Sequence, residues 1–575
     1  MKKIYRVKNK KRKVHEYTPL SNVAEFLDVL TGYGDHTMYI WKEKGEEHKL
    51  SYEEVSQMAR NFARGLTATF GPNANRTIGI IGETSPYWVI AYLAVMASGN
   101  IALPLDKELA HEELSKFLAI AGASAIVYSS TFNDVFPAMA DGHSSLTHLI
   151  PMAPGETTAP SEKITMIPHA DMIRLGEETD VEFTPDTDAE RMVEILFTSG
   201  TTGSSKCVML CQRNIFSVVN SACECVHFCK DDVIVSVLPL HHTYELACTG
   251  LAATNFGATI CINDSLRHAL KNFKEYRPTG LVLVPLFVTT MYKKILAEAK
   301  RSGKDKILGI GTKVANGLNL VGIDLSNKLF KDVRDAFGGR LEKIICGGAA
   351  LNPELVQAFE AFGISIYEGY GITECSPLVA VTPYTKRKPG SVGPAVPCCE
   401  VRIDGTQMND DGFLTGEIQV KGDNVMLGYM NNDEANAEAF TDDGWFRTGD
   451  IGYMDKDGYI YITGRQKSVI VLDNGKNVFP EEIEEYLENI ETIGESVVIG
   501  RQEEETGETK LVAVIFPAYD KYPDLGESDL RAEIQKSIAA LNKKLPSFKQ
   551  IHKLEFRKTE FEKTSSRKIK RHLVK

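Results

Sequence analysis

No run of about 18 apolar residues occurs in the 575-residue chain, so no segment is expected to cross a membrane as a helix. A disulfide framework is also missing. The 11 cysteines are odd in number and irregularly spaced, which suits free thiols in a reducing cytoplasm. Their tightest group, Cys223, Cys225, His227 and Cys229 in CECVHFC, falls at alternate positions, whereas structural zinc usually takes wider C-x-x-C steps. Buried thiols between a helix and the strand-like VIVSVLPL are expected instead. Net positive charge is absent: the formal charge is −12, which argues against nucleic acid as a partner. Internal repeats and low-complexity tracts are lacking too, which excludes solenoids and long disordered arms.

What is present is the composition of a soluble enzyme, 43% hydrophobic and 25% charged, in a chain too long for a single core. One basic patch is the start, MKKIYRVKNKKRKV, with no acid before Glu16. A solvated terminus is the plain expectation, and attraction to anionic lipid heads is the sharper one. No apolar stretch follows it as in a signal peptide, and the final RHLVK is not a peroxisomal address. The expected location is the cytoplasm, with peripheral contact at the inner face of the membrane if the basic start engages lipid.

Strand-like and helical patterns alternate from about residue 50. LSYEEVSQMARNFARGLTATF has helical spacing behind Ser51, with Glu54 placed to complete a capping box. TIGIIG, NIALPL and ASAIVYSS are strand-like, and SPYWVIAYLAVMASG is a helix with Pro86 in its first turn. VIVSVLPL, ATICIN, GLVLVPL, LEKIICGG and ISIYEGYG continue the series. The fold class is therefore α/β: a large N-terminal domain of mixed parallel sheets flanked by helices, then a β-rich subdomain from about Pro389, then a small α+β domain. The boundaries expected are a basic tail at 1–20, the large domain at 21–464 and the small one at 465–575. Ligands of open α/β sheets collect beyond the carboxyl ends of the strands, which directs attention to HHTYE, GGAA and EGYGITE.

FTSGTTGSSKCVML, Phe197 to Leu210, has the composition of a phosphate-wrapping loop, although a bare Gly/Ser/Thr stretch is also what a turn looks like. It is not the G-x-x-x-x-G-K-[ST] loop, because Lys206 stands three residues after Gly203. TSGTTGSSK is followed in order by YGITE, TGD, GRQK and KTSSRKIKR. This ordered set, from about Leu50 to the C-terminus, resembles the adenylate-forming (AMP-binding) superfamily, closest to bacterial long-chain fatty acid–CoA ligases.

The resemblance implies a two-step reaction. A carboxylate attacks the α-phosphate of ATP to give acyl-adenylate and pyrophosphate, and a thiol then displaces AMP. It implies ATP, Mg²⁺ and coenzyme A, with a medium- or long-chain fatty acid as the acyl donor. The pantetheine of an acyl carrier protein is the rival acceptor. A nucleotide-binding adaptor without catalysis is the reading from another class, and no carrier domain follows the small domain as in a peptide synthetase.

Residue by residue, the resemblance implies that Thr198, Ser199, Gly200, Thr201, Thr202, Gly203 and Lys206 hold the β- and γ-phosphates. The family's usual Pro and Gly around that lysine are here Ser205 and Cys207, which loosens the loop and limits positive φ. Gly348 and Ala349 wall the adenine and acyl group. In Glu368-Gly369-Tyr370, Tyr370 stacks on adenine. Thr373 touches the α-phosphate, and Glu374 is the Mg²⁺ ligand. Asp450 and Arg465 hold the ribose, and His242 lies beside the substrate carboxylate, with His241 a helix-start or surface residue. Lys568 serves adenylation, although Arg567 replaces the family's glycine before it. Lys467 is the hinge about which a mobile small domain rotates, and the stretch with Gly475 lines the pantetheine tunnel.

Overall fold

A computed structural model describes residues 16–140, 142–143, 145–153, 161–198, 205–320, 323–472, 477–503, 508–563 and 569–574. The chain forms two units, one of residues 1–401, 420–446 and 458–460, the other of 402–419, 447–457 and 461–575.

The first unit holds two eight-stranded sheets. Across one the order is Leu378–Val381, Ser365–Gly371, Lys343–Cys346, Gly280–Leu283, Val233–Ser236, Thr259–Ile262, Thr37–Glu43 and Glu46–Ser51. Its central pairs are parallel and its two edges antiparallel. Across the other the order is Gly428–Tyr429, Lys206–Cys211, Met192–Thr198, Ile101–Leu105, Thr77–Ile81, Ala125–Tyr128, His148–Pro151 and Thr165–Met166. These strands are short apolar runs, buried along their length at Thr77–Ile81, Ile101–Leu105 and Ala125–Tyr128, as parallel strands covered on both faces must be.

Local chemistry sets the helices. The Tyr52–Phe70 helix starts at the reciprocal Ser51–Glu54 capping box expected from sequence. The Pro86–Ala97 helix has Ser85 as its cap and Pro86 at its first position, and it is buried almost all round because nearly every side chain is apolar.

At the base of the first sheet three neighbouring strands begin at one polar knot. Lys343 Nζ lies 2.5 Å from Asp232 Oδ2, Thr279 Oγ1 donates to Asp232 Oδ1 at 2.6 Å, and the Cys229 amide donates to Asp232 at 2.8 Å. Burial alone would raise the Asp232 carboxyl, but Lys343 and these donors outweigh it and hold the carboxyl below its ordinary value.

The second unit contains most of a four-stranded sheet, Cys399–Met408, Leu414–Gly422, Phe446–Met454 and Ile460–Arg465 in that order. It also contains a three-stranded sheet in which Ile493–Gln502 pairs antiparallel and Lys553–Phe556 parallel with Thr509–Pro517. Ile483 and Leu487 of the Pro480–Glu488 helix and Ile534 and Ile538 of the Glu527–Asn542 helix close its core. The α/β class with a small α+β unit is as the sequence indicates. The apolar SVIVL reads as a strand, yet only Ile470–Val471 pairs.

Candidate active site

The parallel strands Lys343–Cys346 and Ser365–Gly371 run in register, with Cys346 opposite Glu368. Their tips, Gly347–Ala349 and Gly369–Gly371, therefore emerge side by side. Gly348 has φ +88°, a conformation that a side chain resists, and Gly348 and Ala349 are exposed at the rim. A Cβ on Gly371 would lie 1.8 Å from the Pro377 carbonyl oxygen, so glycine is needed for the chain to double back. The Ile372 amide donates to that same carbonyl at 2.9 Å, and the Ser376 amide donates to Thr373 O at 3.1 Å. Thr373 and Glu374 are thus carried on a tight turn between two strands, half-buried.

Glu374 is fastened from a distant stretch. Its backbone oxygen accepts from the Met426 amide at 2.9 Å, and its Oε1 accepts from the Tyr429 hydroxyl at 2.9 Å. Tyr429 in turn pairs with Val208 of the strand Lys206–Cys211, and Lys206 Nζ stands 4.5 Å from the centre of the Tyr429 ring. Burial first, then the Glu374 carboxylate, raises the Tyr429 phenol, so it remains a donor. The structure therefore brings Lys206 and Glu374 against one side chain that sequence reasoning missed. VMLGYMNN carries no periodic signal, and its importance arises only from pairing with a strand more than 200 residues away in sequence.

At the phosphate loop the described residues are the two ends. Thr198 and Lys206 face each other across the hairpin, with Thr198 Oγ1 3.5 Å from Lys206 O. Ser199, Gly200, Thr201, Thr202 and Gly203 lie outside the described residues, as do Lys568, Gly475 and the basic start through residue 15. Cys207 sits in regular strand pairing opposite Phe197, so no positive φ arises there. Its thiol is buried and pushed up to about 12.

The histidine pair differs from expectation. His242 occupies the position just before the short helix Thr243–Glu245, and the His241 ring lies tilted against its ring, 4.3 Å between centroids. His241 is no surface residue: its side chain is 9% exposed, and Nε2 is 3.6 Å from Asp106 Oδ2. Burial and then His242 pull it down to about 3, so it is neutral at physiological pH. Glu245 follows, wholly buried, accepting from Ser236 Oγ at 2.6 Å, and burial raises its carboxyl to about 8.

Beside the glycine tips lies a cavity of about 80 Å³ lined by Ala222, Val226, Tyr244, Cys248, Ala252 and Leu378 together with Gly347, Gly369 and Tyr370. Cys248 and Ala252 belong to a π-helical segment, Leu246–Ala253. The Tyr244 hydroxyl is anchored at the carbonyls of Leu283 and Ile345, 3.2 and 3.1 Å away. Glu368 is drawn inward, buried, with its Oε1 accepting from the Gly390 amide at 3.3 Å.

In the second unit, Asp450 and Arg465 meet directly: Arg465 Nε is 2.8 Å from Asp450 Oδ1, the carboxylate 5% and the guanidinium 50% exposed. The Asp450 amide donates to Thr448 Oγ1 at 3.0 Å, and the Gly449 amide donates to Glu417 Oε1 at 3.1 Å. Lys467 is exposed in the turn Gln466–Ser468.

The chain matches two family models, one described as AMP-binding enzyme over residues 26–430 and one as AMP-binding enzyme C-terminal domain over residues 467–575. It is 28% identical to the long-chain-fatty-acid–CoA ligase FadD15 of Mycobacterium bovis, over 94% of this chain and 92% of that protein. To the long-chain-fatty-acid–CoA ligase 5 of Rattus norvegicus it is also 28% identical, over 82% of this chain and 72% of that protein. Among solved structures, ATP-bound MatB from Rhodopseudomonas palustris superposes with a TM-score of 0.72 at 25% identity, covering 96% of this chain and 98% of that one.

Proposed function

The chain belongs to the AMP-binding enzyme family, and from that premise we propose that it is an AMP-forming acid–CoA ligase whose acid is a medium- or long-chain fatty acid. The observation that favours an apolar acid is the lining of the cavity beside Gly347 and Gly369, made of apolar side chains and glycine backbone, while the length of the chain rests on the relatives. An alkyl chain gains roughly 0.8 kcal/mol for each methylene removed from water, whereas the polar groups of a small polar acid would find no hydrogen-bond partners on such walls. The names of the curated relatives point the same way.

In the first step the carboxylate oxygen bonds to the α-phosphorus, the bond from that phosphorus to the bridging oxygen breaks, and pyrophosphate leaves with the electron pair. In the second, the CoA thiol gives up its proton to solvent, its sulfur bonds to the acyl carbon, the bond from that carbon to the phosphate oxygen breaks, and AMP leaves with the electron pair. Lys206 places a cation where the leaving pyrophosphate gathers charge, and Thr373 offers its hydroxyl to the α-phosphate. Neutral His241 holds the ring of His242 beside the acid's carboxylate without adding positive charge of its own. Asp450 accepts from the ribose hydroxyls, and Arg465 orients that carboxylate. Lys568 contributes its charge to adenylation.

The residues fit Mg²⁺. Among the described residues no group of three or more His, Cys, Asp or Glu side chains could cage a metal, and Glu374 is a single half-buried carboxylate on a turn. One carboxylate completed by substrate phosphates and water is the usual donor set of this ion. When bound, the ion neutralises phosphate charge as pyrophosphate departs.

The test is acid-dependent exchange of labelled pyrophosphate into ATP across acids of graded length, followed by thioester formation with CoA and with acyl carrier protein as competing acceptors. Exchange is expected to rise with chain length, and thioester to form on CoA. Absence of exchange with every carboxylic acid sinks the ligase reading. Preference for short polar acids sinks the fatty-acid part alone.

A further inference from the structure

A lysine and a glutamate brought close together normally collapse into an ion pair, which would occupy the charges that a nucleotide and its metal ion require. Here one tyrosine stands against both. Lys206 Nζ faces the Tyr429 ring at 4.5 Å, where the aromatic face is negative, and Glu374 Oε1 accepts the hydroxyl at the ring's far edge at 2.9 Å. The tyrosine is 5% exposed, and its backbone is fixed from two sides. Its amide donates to Asn436 Oδ1 at 2.7 Å, its carbonyl accepts from Asn436 Nδ2 at 2.9 Å, and its neighbours Leu427 and Met430 donate to Met209 and Cys207. The Met426 amide meanwhile holds the Glu374 carbonyl. Residues 426–430 thus tie the strand leaving the phosphate loop to the Glu374 turn.

We infer that Tyr429 is a positioning residue that holds Lys206 and Glu374 apart, each oriented and each with a side open to ligand. The inference rests on the reading of Glu374 as the Mg²⁺ ligand and of Lys206 as a phosphate contact. Its consequence is specific. Without the hydroxyl, Glu374 loses its tether and is free to swing to the Lys206 ammonium, so metal-dependent nucleotide binding weakens first. Without the ring, Lys206 also loses its seat, and metal-independent phosphate binding weakens as well.

Calorimetric titration of ATP into the full chain, without any carboxylic acid, separates these cases when run in MgCl₂ and again in EDTA. Tyr429→Phe is expected to lower ATP affinity in MgCl₂ on the order of tenfold, the worth of a hydrogen bond to a charged group, with little change in EDTA. Tyr429→Leu is expected to lower both. Glu374→Gln is expected to abolish the Mg²⁺-dependent gain, and adding Tyr429→Phe to it to cost nothing more, because the tyrosine acts through the carboxylate. If Glu374→Gln leaves the Mg²⁺ dependence intact, the assignment of Glu374 fails and takes the inference with it. If Glu374→Gln removes the gain but Tyr429→Phe does not, the inference alone fails. Equal losses in MgCl₂ and EDTA for Tyr429→Phe, accompanied by a lower Tm, would make Tyr429 a packing residue and overturn it too.

Discussion

The strand Lys343–Cys346 has two ends built on opposite principles. At its base, Lys343 and Asp232 are in direct contact, both almost wholly buried, with Thr279 and the Cys229 amide completing the carboxylate. At its tip the strand runs into the uncharged Gly347 and Gly348 beside Gly369–Gly371, the neighbouring Glu368 is buried and takes the Gly390 amide, and the charges close to that turn, Lys206 and Glu374, rest on an intervening tyrosine. A contact pair neutralises its own members and serves the fold. Charges set against a ring and a hydroxyl keep part of their field for a ligand. The direct or indirect meeting of charges therefore distinguishes the structural end of the sheet from its chemical end.

Breaking the base should have the largest effect. Asp232→Ala strands a buried ammonium and is expected to cost about 3–5 kcal/mol, read as a lower Tm and poor recovery of folded protein. Replacing both members, Asp232→Leu with Lys343→Met, should recover much of that loss. The same pair gives an acid signature. The folded Asp232 carboxyl lies below its ordinary 3.8, so its stabilisation is complete above that value and is lost as pH falls through the lower folded value. Asp232→Asn should flatten that part of the acid unfolding curve.

Breaking the tip should act on rate. Gly371→Ala forces a Cβ against the Pro377 carbonyl and displaces the Thr373–Glu374 turn, so pyrophosphate exchange is expected to fall on the order of 100-fold. The Tm should fall by less than for Asp232→Ala. If the two variants lose the same stability, the contrast between the ends is mistaken.

Asp450 and Arg465 lie between these two cases, because they touch directly yet one partner is half exposed. Asp450→Asn is expected to raise the KM for ATP about tenfold with kcat less affected, the behaviour of a ligand-facing pair. A Tm loss with unchanged KM would place it with Lys343 and Asp232.

The smallest effect is at Glu245. Its folded carboxyl is raised from 4.5 to about 8, so ionisation is a growing penalty as pH climbs through that window. Glu245→Gln should therefore raise the Tm at pH 8 relative to its effect at pH 5, by on the order of a few degrees. An equal shift at both pH values would mean that the buried carboxyl is not what titrates.

Local signals carried most of the fold. The Ser51–Glu54 box, Pro86 at a helix start and the glycine-ended strands all appear in the structure because each is set by neighbours in sequence. The strand Lys553–Phe556 escaped notice: its residues are half polar, and it exists by pairing with Thr509–Pro517. The same limit hid Tyr429, whose partners Val208 and Glu374 come from other parts of the chain, and the burial of His241, which brings it near the distant Asp106. Chemistry made from neighbouring residues was legible, and chemistry made by packing was not.

The π-helical segment Leu246–Ala253 carries a consequence for the shape of the chamber. A π-turn closes i→i+5 bonds and so widens a helix locally, a feature concentrated at functional sites. Cys248 and Ala252 line the cavity from this segment. The wall of the chamber and the strand tips beside it are thus set by different kinds of backbone, one a widened helix and the other glycine turns.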